Sequence, residues 1–188
     1  GQAAGQALAD VIFGDYNPAG RLPVTFYKSV NDLPDFSDYK MDNRTYRYFR
    51  GEPLYKFGHG LSYTTFGYSR LKAPKKVRSG ETLKVSVKIQ NTGTMEGDEV
   101  AQLYISNLDA DVPVPIRSLR GFKRIHLKPG EARTVTFEVA AEAFTVIDKN
   151  NKRTFDTGQY MITVGGRQPL KVTIDEESGI LKKMVKLI

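Results

Sequence analysis

Leu83-Lys84-Val85-Ser86-Val87-Lys88-Ile89 is the stretch that decides the fold, because its apolar residues alternate strictly with polar ones. A period of two places the apolar side chains on one face of a β-strand and the polar ones on the other face. Asn91-Thr92-Gly93 then closes the segment with residues that favour turns. The stretch therefore predicts a half-buried strand with one face in water.

Short apolar segments continue toward the C-terminus at a spacing of roughly ten residues. The predicted strands are residues 100–106, which are apolar on both faces and hence central, and residues 119–127, 134–139, 144–147, 160–164 and 172–174. Residues 181–188 form a short apolar and basic tail that is expected to add an edge strand. Residues 128–131 fit a type II turn and residues 149–152 a tight hairpin turn. About seven strands in this arrangement predict a mainly β protein, a Greek-key β-sandwich of the fibronectin type III or immunoglobulin-like kind.

Residues 44–66, just before the strands, are rich in aromatic side chains and are interrupted by Gly51, Pro53, Gly58 and Gly60. Such a stretch is too apolar for a free linker and too interrupted for a helix. We interpret it as a buried inter-domain connector that is docked on both sides.

The first part of the chain has a different pattern. Residues 3–13 place apolar side chains on one stripe at helical spacing, and Gly14 is suited to end the helix. Residues 22–26 predict a short strand, and residues 27–43 a polar loop. A lone helix, turn and strand do not bury their apolar faces alone, so they are expected to be the end of a larger domain. The chain is accordingly expected to be a fragment, with a helix that frays or supports an unintended dimer.

Composition excludes several classes of function. The chain has 28 Lys and Arg against 21 Asp and Glu, a net charge of +7, but the charges alternate with apolar residues along the strands. This pattern favours solvated strand faces over a nucleic-acid surface. The absence of cysteine excludes disulfides and cysteine zinc sites. No apolar run approaches the ~18 residues that a membrane span needs, and no signal-peptide pattern is present.

Few residues are candidates for chemistry. His59 and His126 are the only histidines, which excludes a multi-histidine metal site within one chain. His59 could act as a base, but a ring hydrogen-bonded within the connector is the favoured interpretation. The cluster that most resembles a binding site consists of Arg44, Tyr46, Arg47 and Tyr48. Tyr and Arg side chains stack on sugars and pair with carboxylates. A role in joining two domains is nevertheless the favoured interpretation.

Motifs for nucleophilic serine, phosphate and dinucleotide sites are absent. We therefore assign no catalytic, cofactor-binding or metal-binding residue and expect no cofactor. Two further hypotheses stay open, a stand-alone carbohydrate-binding module and a protein-interaction module. The lack of Trp counts against the first, because sugar platforms depend on exposed aromatic rings.

Four ordered blocks resemble the C-terminal portion of glycoside hydrolase family three, the β-glucosidases, β-xylosidases and related exo-acting hydrolases. The blocks are Gly-Gln-Ala-Leu-Ala-Asp-Val-Ile-Phe-Gly-Asp-Tyr-Asn-Pro-Ala-Gly-Arg-Leu-Pro-Val-Thr-Phe (5–26), Arg-Thr-Tyr-Arg-Tyr-Phe (44–49), Pro-Leu-Tyr-Lys-Phe-Gly-His-Gly-Leu-Ser-Tyr-Thr-Thr-Phe (53–66) and Leu-Arg-Gly-Phe-Lys-Arg-Ile-His-Leu-Lys-Pro-Gly-Glu (119–131). Together they extend the resemblance over nearly the whole chain.

The resemblance implies a three-part division: residues 1–30 as the C-terminal end of an α/β sandwich domain, 31–66 as the connector and 67–188 as a fibronectin type III-like domain. In this family the nucleophilic Asp lies in an upstream catalytic barrel and the acid/base Glu in the α/β domain, so this chain is expected to be an inactive scaffold. Its expected partners are those upstream domains. An oligosaccharide would be the parent's substrate, and Arg44 and Tyr46 could approach the rim of the pocket. Nucleic acid is not an expected partner, and a periplasmic or secreted parent is favoured.

Overall fold

The computed structural model describes residues 1–172 and 177–188, and within them the predicted β-sandwich is present. In these ranges one sheet has three strands in the order β1-β3-β6 and the other has five in the order β2-β10-β9-β4-β5. All pairs are antiparallel except β2 with β10, and β7 with β8 forms a separate hairpin. The strands are β1 (Phe66–Lys72), β2 (Lys76–Val77), β3 (Leu83–Asn91), β4 (Gly97–Asn107), β5 (Ser118–Leu127), β6 (Ala132–Val139), β7 (Thr145–Ile147), β8 (Arg153–Phe155), β9 (Gly158–Gly165) and β10 (Ile180–Leu187).

The alternating stretch forms β3 as predicted, and its apolar side chains point into the core. Leu83, Val85 and Val87 are fully buried. Val85 pairs with Phe137 and Val87 with Val135 on β6, so apolar side chains of both strands meet on one face of this pair. Each such side chain contributes about 1.5–3 kcal/mol when it is removed from water. The core therefore lies between the two sheets.

The central position predicted for residues 100–106 is confirmed, since β4 pairs with β5 on one side and β9 on the other. The apolar side chains of β4 explain its central position only in part. Leu103 and Ile105 face the core, whereas the opposite face carries Gln102, Tyr104 and Ser106, which are also buried. The connector and neighbouring loops cover that outer face, and β4 is therefore buried on both sides.

Both predicted turns are present. Gly130 adopts a φ of 75°, and the Glu131 amide donates to the Lys128 carbonyl at 2.9 Å. Asn151 adopts a φ of 57° between β7 and β8. These positive angles explain why Gly and Asn stand there.

Of the two C-terminal predictions, the strand at residues 172–174 needs correction, whereas the edge strand expected from residues 181–188 is confirmed. Val172 lies outside any strand, and Ile174, the end of that predicted strand, falls outside the described residues. The tail instead supplies a full strand, β10, that pairs with β9 over its whole length. The two-residue β2 covers only its Lys186 and Leu187 end, so β10 is an edge strand for most of its length.

Helix α1 (Ala4–Phe13) forms as predicted and ends at Gly14, whose φ of 86° is left-handed. The strand predicted for residues 22–26 is wrong in extent, because only Phe26 forms a bridge, to Tyr55. Pro23 has no N–H for a regular ladder. The loop that follows contains one short 3₁₀ turn, Val30–Asp32, with a capping box at Ser29.

The connector contains a single helical turn, α2 (Thr45–Tyr48), where none was predicted. Phe49 is buried, but Leu54, Leu61 and Tyr63 are each at least half exposed. Within the described residues the connector is thus covered only on the face toward the sandwich, and docking on its other side stays a prediction. Among the helices of the described residues, none is long and apolar enough to cross a membrane.

Candidate functional site at the junction of segment, connector and sandwich

A buried ion pair joins the N-terminal segment (residues 1–30) to the sandwich. Arg21 Nη2 lies 3.1 Å from Glu99 Oε2, and only 12% and 5% of the two side chains are exposed. Tyr68 on β1 donates its hydroxyl proton to Glu99 Oε1 at 2.8 Å. Glu99 lies on β4, so the three groups tie the segment to both sheets at one point.

Burial dominates the electrostatics of this point. It raises the pKa of the Glu99 carboxyl, although Arg21 and the Tyr68 hydroxyl act in the opposite direction. Burial also raises the pKa of Tyr68 well above its usual value, so the phenol stays protonated and can donate. Removing one partner of such a buried pair is costly, because the remaining charge loses its compensation.

Two glycines make room for this ion pair. A Cβ on Gly166 would lie 2.6 Å from Glu99 Oε1, and a Cβ on Gly60 would lie 2.2 Å from the Gly20 carbonyl oxygen. Neither contact leaves space for a side chain. Arg21, Tyr68 and Glu99 border a cleft of about 270 Å³, which His59 and Arg167 also line.

Asn17 is the second point of attachment and is buried. Its Nδ2 donates to the Glu96 carbonyl at 2.9 Å, next to β4. Its Oδ1 accepts from Ser62 Oγ at 3.0 Å and from the Tyr63 amide at 2.9 Å. The side-chain amide of Asn17 thus links the segment, the connector and the sandwich through directional hydrogen bonds.

Tyr46 docks the connector onto the outer face of the five-stranded sheet. Its ring stacks on Phe57 at 4.1 Å between centroids and meets Tyr104 edge-on at 6.1 Å. Its hydroxyl oxygen accepts from the Leu119 amide at 3.1 Å, and the buried Arg117 donates to its carbonyl at 3.0 Å. Burial lowers the pKa of Arg117.

The other members of the cluster point elsewhere. Arg44 holds the preceding loop, donating to the Lys40 and Asp35 carbonyls at 3.0 Å each and also to the Asp38 carbonyl. The guanidinium of Arg47 lies 5.7 Å from the centroid of the Tyr48 ring. The four residues therefore do not converge on one sugar-stacking platform.

The two histidines lie in unlike surroundings. The His59 ring stacks on Tyr55 with centroids 5.3 Å apart, and it makes no ring hydrogen bond within the described residues, so that part of the prediction is wrong. His126 Nδ1 lies 2.7 Å from Asp98 Oδ1 on the surface. This hydrogen bond raises the pKa of His126.

Glu99, Arg21 and Asn17 were not recognised from the sequence. A signal for Glu99 was present, since it lies two and four residues before Ala101 and Leu103 and hence on the core face of β4. A charge at such a position needs a buried partner. Within residues 1–172 and 177–188, no group of three or more acidic, His or Cys side chains is arranged to hold a metal ion.

Exposed apolar side chains concentrate before the sandwich. The core cluster of buried residues runs from Val77 to Leu187, whereas most exposed large apolar side chains of the described residues lie before Phe66. The most exposed of those before Phe66 are Leu8, Ile12, Phe13, Val30, Phe36, Tyr39 and Leu61. Such a concentration is typical of a surface that contacts another polypeptide.

Two family models match the chain. Residues 1–63 match the glycosyl hydrolase family 3 C-terminal domain, and residues 99–168 match the fibronectin type III-like domain. The first match includes α1, Asn17, Arg21 and Tyr46, and the second includes Glu99. The two sides of the junction thus lie in different matched domains.

Similar proteins include a xylan 1,4-beta-xylosidase of Xylanibacter ruminicola, 46% identical over 167 residues that cover 88% of this chain and 19% of that protein. A periplasmic beta-glucosidase of Salmonella typhimurium is 39% identical, covering 88% of this chain and 23% of that protein. Among solved structures, a Bifidobacterium adolescentis GH3 beta-glucosidase superposes with a TM-score of 0.83 at 29% identity, over 100% of this chain and 28% of that one. The chain thus spans about a fifth to a quarter of the length of the curated relatives it matches.

Proposed function

Because the chain belongs to glycoside hydrolase family 3, as the C-terminal part of a β-glucosidase or β-xylosidase type of protein, we propose that it is the scaffold portion of a retaining exo-acting β-glycosidase. In such an enzyme one carboxylate forms the glycosyl-enzyme, and a second protonates the leaving oxygen and then activates water. Under this proposal both carboxylates precede the present chain, which supplies no catalytic residue.

One observation carries the proposal: the N-terminal segment is fixed to the sandwich on one side and apolar on the other. Arg21 and Asn17 hold the segment through directional contacts. On α1, no residue is buried, and Leu8 and Ile12 are 62% and 63% exposed. A surface of this kind is suited to receive the preceding part of the protein.

The division into residues 1–30, 31–66 and 67–188 is part of the proposal. It is supported by a core cluster that begins at Val77 and by family matches that stop at residue 63 and resume at 99. The contacts of Tyr46 with the sheet support a joining role for the connector, and we propose this role for Tyr46 and Arg44 in place of one at the rim of a sugar pocket.

The direct test compares two proteins. We would assay release of 4-nitrophenol from its β-glucoside and β-xyloside by the 188-residue chain and by the same chain preceded by its native upstream sequence. Activity only in the longer protein is the expected result, and the preferred substrate then identifies the sugar. Hydrolysis by the 188 residues alone would overturn the scaffold assignment.

A surface variant tests the docking role. In the longer protein, Leu8→Asp with Ile12→Asp should lower the melting temperature and the specific activity, because two charges are forced against the apolar surface of the preceding domain. Phe122→Asp is the matched control, since Phe122 is 67% exposed on β5 of the sandwich. Equal effects of the two changes would contradict docking through α1.

A further inference from the structure

The cleft of about 270 Å³ beside the buried ion pair is bordered by all three parts of the chain. Arg21 lies in the N-terminal segment, His59 in the connector and Glu99 on β4 of the sandwich. Sites for drug-sized ligands typically enclose about 300–1,000 Å³. The volume of this cleft therefore suits a smaller molecule, about as large as one sugar ring.

The charges around the cleft favour an uncharged ligand. Arg21 Nη2 lies 3.1 Å from Glu99 Oε2, and Arg167 Nη2 lies 3.8 Å from Glu177 Oε1. Each arginine that lines the cleft thus already faces a carboxylate. The attraction of an anion to either arginine is opposed by the neighbouring carboxylate, and a cation meets the reverse opposition.

Two lining side chains have hydrogen-bonding capacity that the described residues do not use. The His59 ring makes no ring hydrogen bond within them, and a neutral imidazole provides a donor and an acceptor. Arg167 Nη2 donates to the Ser178 carbonyl at 3.2 Å, and the guanidinium carries further N–H donors. The cleft therefore offers donors as well as an acceptor to a ligand.

Glu99 adds a second acceptor to the lining. Its carboxylate accepts from Arg21 at 3.1 Å and from the Tyr68 hydroxyl at 2.8 Å, and the adjacent Val100 amide also donates to it. An ionised carboxylate has about four acceptor positions, so roughly one is left for a ligand hydroxyl. Phe66 contributes an aromatic wall. Polar groups beside an aromatic ring suit a sugar, because its hydroxyls are polar and its C–H groups are apolar.

The walls of the cleft are fixed by hydrogen bonds within the chain. The buried Gln102 donates its Nε2 to the Gly58 carbonyl at 3.2 Å and to the Gly166 carbonyl at 2.9 Å. The Leu22 amide donates to the His59 carbonyl at 2.8 Å. A site that is already formed loses less conformational entropy when a ligand binds.

We propose that this cleft binds a single uncharged sugar ring of the pyranose type. In the complex, hydroxyls of the sugar donate to Glu99 and accept from Arg167, and a C–H face of the ring packs against Phe66. The lining residues all belong to this chain, so the inference is independent of the proposed hydrolase activity. Because the sugar contacts the segment, the connector and the sandwich together, its binding strengthens the junction.

The test titrates the 188-residue chain with D-glucose and, separately, with D-xylose, which is a smaller pyranose. Trimethylamine N-oxide at equal osmolality is the reference, because it acts by exclusion from the protein surface. In ¹H–¹⁵N NMR spectra, the amide signals of Gly60, Gly166 and Gly179, which line the cleft, should shift saturably with at least one of the sugars. The expected Kd is roughly 1–10 mM, since one ring contains few atoms.

Matched variants assign the binding to the cleft. His59→Gln and Arg167→Gln should each weaken the affinity roughly two- to tenfold. His126→Gln and Arg78→Gln replace the same types of side chain outside the cleft and should leave the affinity unchanged. Spectra recorded without sugar verify that each variant is folded. Shifts that stay linear with both sugars or match those in trimethylamine N-oxide, or equal affinities of the His59 and His126 variants, would overturn the proposal.

Discussion

Replacing Arg21 by methionine is the sharpest perturbation of the junction, because it leaves Glu99 buried without its counter-charge. At the observed 3.1 Å, the attraction between the two charges is about 5 kcal/mol for an effective dielectric constant of about 20. Desolvation offsets most of this gain in the intact pair, but removing one partner of a buried pair typically costs about 3–5 kcal/mol. We expect a loss near the lower end, since Tyr68 still donates to the carboxylate.

The loss should appear first as detachment of the N-terminal segment. Hydrogen exchange of the Leu22 amide, which donates to the His59 carbonyl at 2.8 Å, reports this directly. Urea unfolding monitored by circular dichroism measures the remaining loss, since the chain has no Trp for fluorescence. Arg133→Met is the control, because the Arg133–Glu131 pair is more than a third exposed on both sides and should change stability by less than about 1 kcal/mol.

The effect of Arg21→Met should depend on pH in a defined direction. Burial raises the folded-state pKa of Glu99 above its usual value of 4.5, and loss of Arg21 raises this pKa further. Glu99 then binds a proton more readily in the folded state than in the unfolded state. The loss of stability caused by Arg21→Met is therefore absent below pH 4.5 and grows as the pH rises through the folded-state pKa of Glu99. A penalty that is equal at pH 5 and pH 8, or unchanged exchange at Leu22, would refute the reasoning.

Two further predictions concern neighbouring groups. Gly166→Ala should destabilise the fold by about 1–3 kcal/mol in urea unfolding, because its Cβ would lie 2.6 Å from Glu99 Oε1, whereas Gly20→Ala meets no atom within 4 Å and should be near neutral. Asp98→Asn should lower the pKa of His126 toward 6.5 in an NMR titration, and it should remove a stabilisation that is full below pH 6.5 and lost as the pH rises through the raised pKa. An unmoved His126 titration would contradict the second prediction.

The strands that sequence analysis predicted are those whose apolar period is intact. β3 keeps strict alternation, and its core side chains are fully buried. β1 was missed because Gly67, Ser69 and Arg70 interrupt the pattern, and Arg70 adopts a positive φ of 55° where the register shifts. The connector was predicted to be docked on both sides, and its composition did not identify which contacts lie within this chain, because local composition carries no information on distant partners.

The junction was hidden for a different reason. Arg21 and Glu99 are 78 positions apart, and nothing near Arg21 in the sequence distinguishes it from a solvated arginine. Glu99 carried a signal, a charge on a core face, but the identity of its partner depends on how residues 15–26 cross the sheet. The family resemblance supplied the domain order, which short-range patterns do not contain.

The distribution of burial explains why the junction is polar. The sandwich has its own core from Val77 to Leu187, and residues 1–30 contribute no side chain to it. The segment, in contrast, buries little apolar surface, and apolar contacts alone would hold it in no single orientation because they are non-directional. The buried ion pair and the side-chain amide of Asn17, which both donates and accepts hydrogen bonds, fix the position and the angle of the segment. A preceding domain would pack against α1 in the orientation that these contacts set. The charges of Arg21 and Glu99 therefore determine the orientation of the segment more than they stabilise the fold.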